Sequence, residues 1–165
     1  YQRDLNVIAS PAQSVREIFD LMPTSTEHDW TIIAGKLGNV AGALEGYTAT
    51  LREGIAAGNT PARRQVLEVL DQARRTAAAD GFFPEFAASA GEGEAPVPAS
   101  LQADLDRNAR AAAEAYGAFA QFLEAELLPA AREHDPVGRE LYALMSRRFL
   151  GAVIDLDETY EWGIE

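Results

Sequence analysis

The sequence predicts an all-α fold of five or six helices packed as antiparallel hairpins. Apolar residues recur at alternating three- and four-residue steps in several long segments, the period of a helix with one buried face. Proline and glycine separate these segments, and no alternating pattern typical of strands appears. With 47% hydrophobic residues, 165 residues can bury roughly two thirds of their unfolded surface, so we expect a single domain over residues 1–165.

Two helices are predicted in the first third of the chain. Ser10 followed by Pro11 is a typical helix start, and the apolar stripe behind them ends at Pro23. Thr24 to Glu27 has the form of a capping box and predicts the start of one long helix of about 30 residues. The apolar positions of that helix are Trp30, Ile33, Leu37, Val40, Leu44, Tyr47, Leu51 and Ile55.

The predicted long helix contains an unusual number of glycines. Gly38, Gly42 and Gly46 are spaced four residues apart, which places them on one side of the helix, and each costs about 1 kcal/mol relative to alanine. One interpretation is a groove of small residues against which a neighbouring helix packs closely. The other is that a ligand or peptide lies in this groove.

A third helix is expected after a tight turn. Gly58 has the position of a residue that follows a helix end, and Thr60 with Pro61 predicts the next helix start. This helix continues to Asp80, and Gly81 stops it. We expect it to form an antiparallel hairpin with the long helix.

Three aromatic residues, Phe82, Phe83 and Phe86, precede an acidic segment rich in glycine and proline. We expect this segment, at about residues 87–99, to be a flexible loop. The aromatic side chains either anchor that loop to the core or line an apolar pocket beneath it. Both interpretations remain open at this stage.

The last third of the chain predicts further helices. Ser100 begins a long one, and Pro129 kinks or ends it because the residue before a proline is biased away from helical angles. Near the end, Asp155 or Asp157 caps another helix, of which Leu156, Tyr160 and Ile164 share one face. No helix stop follows that face, so we expect the chain to be a piece of a larger protein.

The net charge of −12 argues against binding to nucleic acid or to an anionic membrane, since both require clustered positive charge. A membrane-spanning helix is not expected either, because Glu45, Arg52 and Glu53 interrupt the long glycine-containing helix. The absence of cysteine suits a cytoplasmic protein better than a secreted one. A signal peptide that has been removed leaves no trace in the sequence, so secretion stays open.

No catalytic or metal-binding residue is predicted. His28 and His134 do not have the spacing that places two metal ligands on one helical face. Asp155, Asp157 and Glu158 resemble the beginning of a calcium loop, but a tyrosine stands where that loop needs glycine. No cofactor is therefore expected within this chain.

Several short segments, in their order, carry a family resemblance. They read EGIAAGNTPARRQVLEVLDQA, FLEAELLPAARE and VGRELYALMSRRFLGAVIDLDETYEWGIE, and with the long helix before them they cover nearly the whole chain. The chain resembles the bacterial domain of unknown function family number 885. The resemblance implies a helical protein similar to zinc peptidases, with an H-E-x-x-H motif far downstream of the matched segments. This sequence contains no such motif, so zinc is expected only in the parent protein.

Two functional hypotheses follow. In the first, the chain is the upstream helical region of a metallopeptidase-like protein and forms a wall or lid of the substrate cleft, with the remainder of the polypeptide as its partner. In the second, it is a self-contained helical module that binds a protein or ligand at the glycine groove or at the phenylalanines. The sequence leaves the oligomeric state open.

Overall fold

The computed structural model describes residues 5–91 and 97–164, and these residues confirm the all-α fold. Contacts divide the chain into two compact units, Tyr1–Glu133 and His134–Glu165, and each unit is described by itself. Two such units can belong to one domain, so the single domain over residues 1–165 stays a prediction.

The first unit begins with a short helix, α1, Pro11–Glu17, followed by a 3₁₀ turn, Ile18–Leu21. The predicted start is confirmed, because Ser10 precedes Pro11 in an extended conformation and its amide and hydroxyl groups both donate to Gln13 Oε1. Gln13 Nε2 in turn donates to Gln72 Oε1. This polar network ties the start of α1 to a distant helix.

The predicted long helix is divided in two, α2, Glu27–Gly38, and α3, Val40–Ala56. Asn39 ends α2 because its amide bonds to Lys36 O, three residues back rather than four. The capping box also lies two residues later than predicted. Thr26 and Asp29 exchange the reciprocal bonds, which place Glu27 inside the helix and lower the pKa of the Asp29 carboxyl through its hydrogen bond to Thr26.

The turn after α3 contains Gly58 at a φ of 66°, as predicted for a residue that follows a helix end. The next helix, α4, Arg63–Thr76, begins two residues later than the predicted start at Pro61. The reason is tertiary: Ala62 and Arg132 form an isolated parallel bridge, in which Arg63 N donates to Arg132 O and Arg132 N donates to Pro61 O. The bridge includes Ala62 in an extended conformation, so the helix begins only at Arg63.

The segment after Gly81 is more helical than predicted. Helix α5 spans Phe82–Ala88, and a 3₁₀ turn, Ser89–Gly91, follows it. Of the loop predicted at about 87–99, residues 92–96 lie outside the described residues, and helix α6 already begins at Ala99. The start of the loop was wrong because the phenylalanine stripe of α5 continues through the buried Ala87 and Ala90.

Helix α6, Ala99–Phe122, is the centre of the first unit and packs against α2, α3, α4 and α5. The predicted hairpin is therefore not the main pairing, because α3 and α4 both pack on α6. A π-helical turn, Leu123–Leu127, and a single α turn, α7, Leu128–Ala130, end this region. Leu128 keeps helical angles despite preceding Pro129, since the π turn supplies a bond from its amide to Leu123 O.

The second unit contains α8, Arg139–Leu150, and α9, Leu156–Ile164. Asp155 is confirmed as the cap of α9, because its carboxylate accepts from the amides of Asp157 and Glu158. Arg139 forms two hydrogen bonds of 2.7 Å to Asp157, which join the two helices and lower the pKa of the Asp157 carboxyl. Several large apolar side chains are exposed, namely Leu144, Phe149, Leu150, Tyr160, Trp162 and Ile164.

Candidate functional site

An open groove of about 700 Å³ lies between α1 with its 3₁₀ turn and the junction of α2 and α3. This volume falls within the range of small-molecule and short-peptide sites. Most of the lining is apolar and comes from Ala9, Pro11, Val15, Ile18, Phe19, Val40 and Ala43. Sequence analysis did not identify this groove.

The α1 wall of the groove is held by buried contacts with the rest of the first unit. The hydroxyl of Tyr116 on α6 donates to Ala12 O on α1 at 2.7 Å, and both residues are buried. Burial also raises the pKa of the Tyr116 hydroxyl, which keeps it protonated as a donor. Phe19, at the foot of the wall, is only 2% exposed and contacts the aromatic residues of α5. The wall is therefore part of the core.

Polar groups interrupt the apolar lining at Ser14, Lys36 and Asn39. Lys36 is exposed in the last turn of α2, and the structure gives it no ion-pair partner among the described residues. Asn39 stands at the start of α3, but its side chain makes no capping hydrogen bond. These groups remain available to a ligand.

The glycines that sequence analysis singled out do not form a packed groove. A Cβ atom at Gly38 would lie 3.5 Å from the amide nitrogen of Asn108 on α6, which is ordinary contact. At Gly42 and Gly46, a Cβ atom would meet no described atom outside its own helix within 4 Å, and both residues are exposed. Of the three glycines, Gly38 alone therefore contacts a neighbouring helix, and a ligand along Gly42 and Gly46 stays a prediction.

The phenylalanines of α5 lie in an aromatic cluster with Phe19 and Trp30. Phe83 is fully buried and contacts Phe19 edge to face, with ring centres 5.7 Å apart. Phe82 stacks on Phe86 at 5.3 Å, and Phe86 also contacts Trp30. This packing places the cluster behind the groove wall through Phe19. Both the anchoring of the loop and a pocket lined by the three phenylalanines stay predictions.

The described residues contain neither a metal-binding cluster nor a helix that could cross a membrane. Within residues 5–91 and 97–164, no three histidine, aspartate or glutamate side chains lie together as a metal ion would require. In the same ranges, no helix has the length and apolar character needed to cross a bilayer.

Comparison with known protein families assigns the chain to a family. The profile of the family described as "Bacterial protein of unknown function (DUF885)" matches residues 1–165. The chain belongs to this family. A search of curated proteins found no match to this DUF885 chain. The family resemblance inferred from the sequence is thereby confirmed, while the family description itself assigns no activity.

One signal for the groove was present in the sequence of this DUF885 chain. Lys36 is its only lysine and stands between apolar positions of the predicted long helix, but genome composition explains a shortage of lysine equally well. The opposite wall cannot be read from sequence, because Tyr116 and Ala12 are 104 residues apart. Only the folded chain brings α1 to the α2–α3 junction.

Proposed function

We propose that this chain is the upstream, non-catalytic helical region of a metallopeptidase-like protein, and that its groove forms one wall of the substrate cleft. The observation that carries the proposal is the apolar groove at α1, which is open to solvent yet built on buried contacts. A cleft wall needs both properties, since an apolar surface binds substrate and a rigid support keeps it in position.

The proposal assigns the zinc ion and its ligands to the remainder of the polypeptide, as the family resemblance implies. The same remainder would cover the apolar side chains that the second unit exposes, among them Phe149, which is 90% exposed, and Trp162, which is 78% exposed. A cytoplasmic location belongs to the same proposal, and cell fractionation tests it.

Metal analysis and peptide hydrolysis test whether the zinc site lies outside residues 1–165. Residues 1–165 produced alone should bind zinc at far below one ion per chain after dialysis and should not hydrolyse peptides. The product of the complete reading frame should hold zinc and cleave them. One tightly held zinc ion per chain of residues 1–165 would contradict the proposal.

A second candidate function is a self-contained helical binding module. The groove supports it as well, because the apolar lining and the exposed Lys36 would serve a binding module without any catalytic partner. The gene distinguishes the two candidates. A stop codon directly after Glu165 favours the module, whereas continued reading into an H-E-x-x-H motif favours the cleft wall.

A further inference from the structure

We propose that the groove binds the C-terminal end of a peptide whose last residue is apolar, with Lys36 paired to the terminal carboxylate. This inference rests on the proposed function, because it names the substrate class that the cleft wall would recognise. It is carried by the position of Lys36, which has no ion-pair partner among the described residues, within an apolar groove.

The charge of the groove is opposite to that of the chain. The net charge of the chain is −12. Several arginines of the first unit form ion pairs with acidic side chains, as Arg16 does with Asp20 and Arg52 with Glu126. Lys36 lines the groove without such a partner among the described residues. A cation beside apolar surface favours a ligand that joins an anionic group to an apolar body.

The apolar lining determines what surrounds that anionic group. Val15 and Phe19 lie on one wall and Val40 and Ala43 on the other, while Ile18 is 42% exposed at the mouth. Phe19 and Val40 are already buried, so the surface that a ligand would cover belongs chiefly to Val15, Ile18 and Ala43. An aliphatic or aromatic residue placed there removes apolar surface from water on both partners. A carboxylate that lacks an apolar neighbour would gain only the ion pair, which is weak at an exposed site.

The remaining polar groups favour a peptide over a fatty acid. The Ser14 hydroxyl can donate and accept, and the Asn39 side-chain amide can do both as well. The Asn39 side chain forms no capping hydrogen bond to helix α3. Such groups match the alternating N–H and C=O groups of a peptide backbone, whereas the alkyl chain of a fatty acid would leave them without partners.

Calorimetric titration with defined probes tests the inference. The probe is the N-acetylated tripeptide Ala-Ala-Leu with a free carboxylate, and its matched control is the same peptide with a C-terminal amide. We expect the carboxylate form to bind about 1.5- to fivefold more tightly, the range of an exposed ion pair, with a preference that shrinks as salt is added. Dodecanoate, titrated in parallel, should bind more weakly than the peptide.

Three variants, one of them a matched control, separate this inference from the proposed function. Lys36→Gln should bind the carboxylate and amide peptides equally, whereas Arg110→Gln on α6, an exposed cation that does not line the groove, should keep the preference. Ile18→Asp should weaken both peptides at least tenfold without unfolding the chain, because Ile18 already lies partly in water.

Different outcomes of these titrations would overturn different parts of the proposal. Equal binding of both peptides by the unaltered chain, or an unchanged preference in Lys36→Gln, would overturn carboxylate recognition and leave the groove as a binding surface. Tighter binding of dodecanoate than of the peptide would overturn the choice of a peptide. Undiminished peptide binding by Ile18→Asp, or no binding of either peptide by the unaltered chain, would overturn the groove as the site and the proposed function with it.

Discussion

Removing a single hydroxyl group tests how the groove wall is held. In Tyr116→Phe, the carbonyl of Ala12 loses a donor that lies 2.7 Å away in the native chain. Tyr116 is 2% exposed and Ala12 is 6% exposed, so water cannot replace the donor without local opening. A buried hydrogen bond contributes about 1 kcal/mol, and a desolvated carbonyl left without its partner adds to the cost. We therefore expect the free energy of unfolding to fall by about 1–2 kcal/mol.

Urea unfolding followed by far-ultraviolet circular dichroism measures this difference. The matched control is Tyr142→Phe on α8, whose ring is 58% exposed, and it should change stability by less than about 0.5 kcal/mol. If both variants show the same small change, the Tyr116 hydroxyl does not hold α1 against α6. The rigid wall would then lack its main polar contact.

Further predictions concern pH, glycines and the aromatic cluster. Burial raises the pKa of the Tyr116 hydroxyl above its usual value near 10, so the contribution of this group to stability is complete below pH 10 and is lost as the pH rises further. Urea unfolding at pH 9 and pH 11 should therefore show a larger fall in the free energy of unfolding for the native chain than for Tyr116→Phe. Gly42→Ala should raise the melting temperature through a gain of up to about 1 kcal/mol, and a lower melting temperature would indicate an unseen neighbour. Gly81→Ala should lower it, because the new Cβ would lie 2.8–2.9 Å from three backbone carbonyl oxygens. Phe83→Ala should cost about 3–5 kcal/mol in urea unfolding, and the partly buried Phe82→Ala should cost less; equal losses would contradict the burial of the cluster.

The buried faces of the helices follow from local periodicity. Of the apolar positions predicted for the long helix, those from Trp30 to Leu51 are buried, and Ile55 is partly buried. A helix places residues three and four apart on one side, so the face that avoids water can be recognised without knowledge of its partner. For the same reason, the caps at Ser10 and Asp155 were predictable from the residues next to them.

The features that could not be predicted depend on distant residues. The start of α4 is displaced by pairing between Ala62 and Arg132, seventy positions apart along the chain. Division of the long helix at Asn39 also has no clear local signal, since asparagine is tolerated within helices at a modest cost. The groove could not be predicted for both reasons. One wall lies at the division of the long helix at Asn39, and the other, α1, is held by the hydrogen bond from Tyr116 on α6.

A nuclear magnetic resonance titration tests the central claim, that the groove is the functional surface of this chain, most directly. Acetylated Ala-Ala-Leu is added to the uniformly ¹⁵N-labelled chain, and amide shifts are followed in two-dimensional spectra. If the peptide binds in the groove, the largest shifts will occur at Ser14, Ile18, Asn39 and Ala43. Largest shifts in α8 and α9, or no shifts at millimolar peptide, would contradict it.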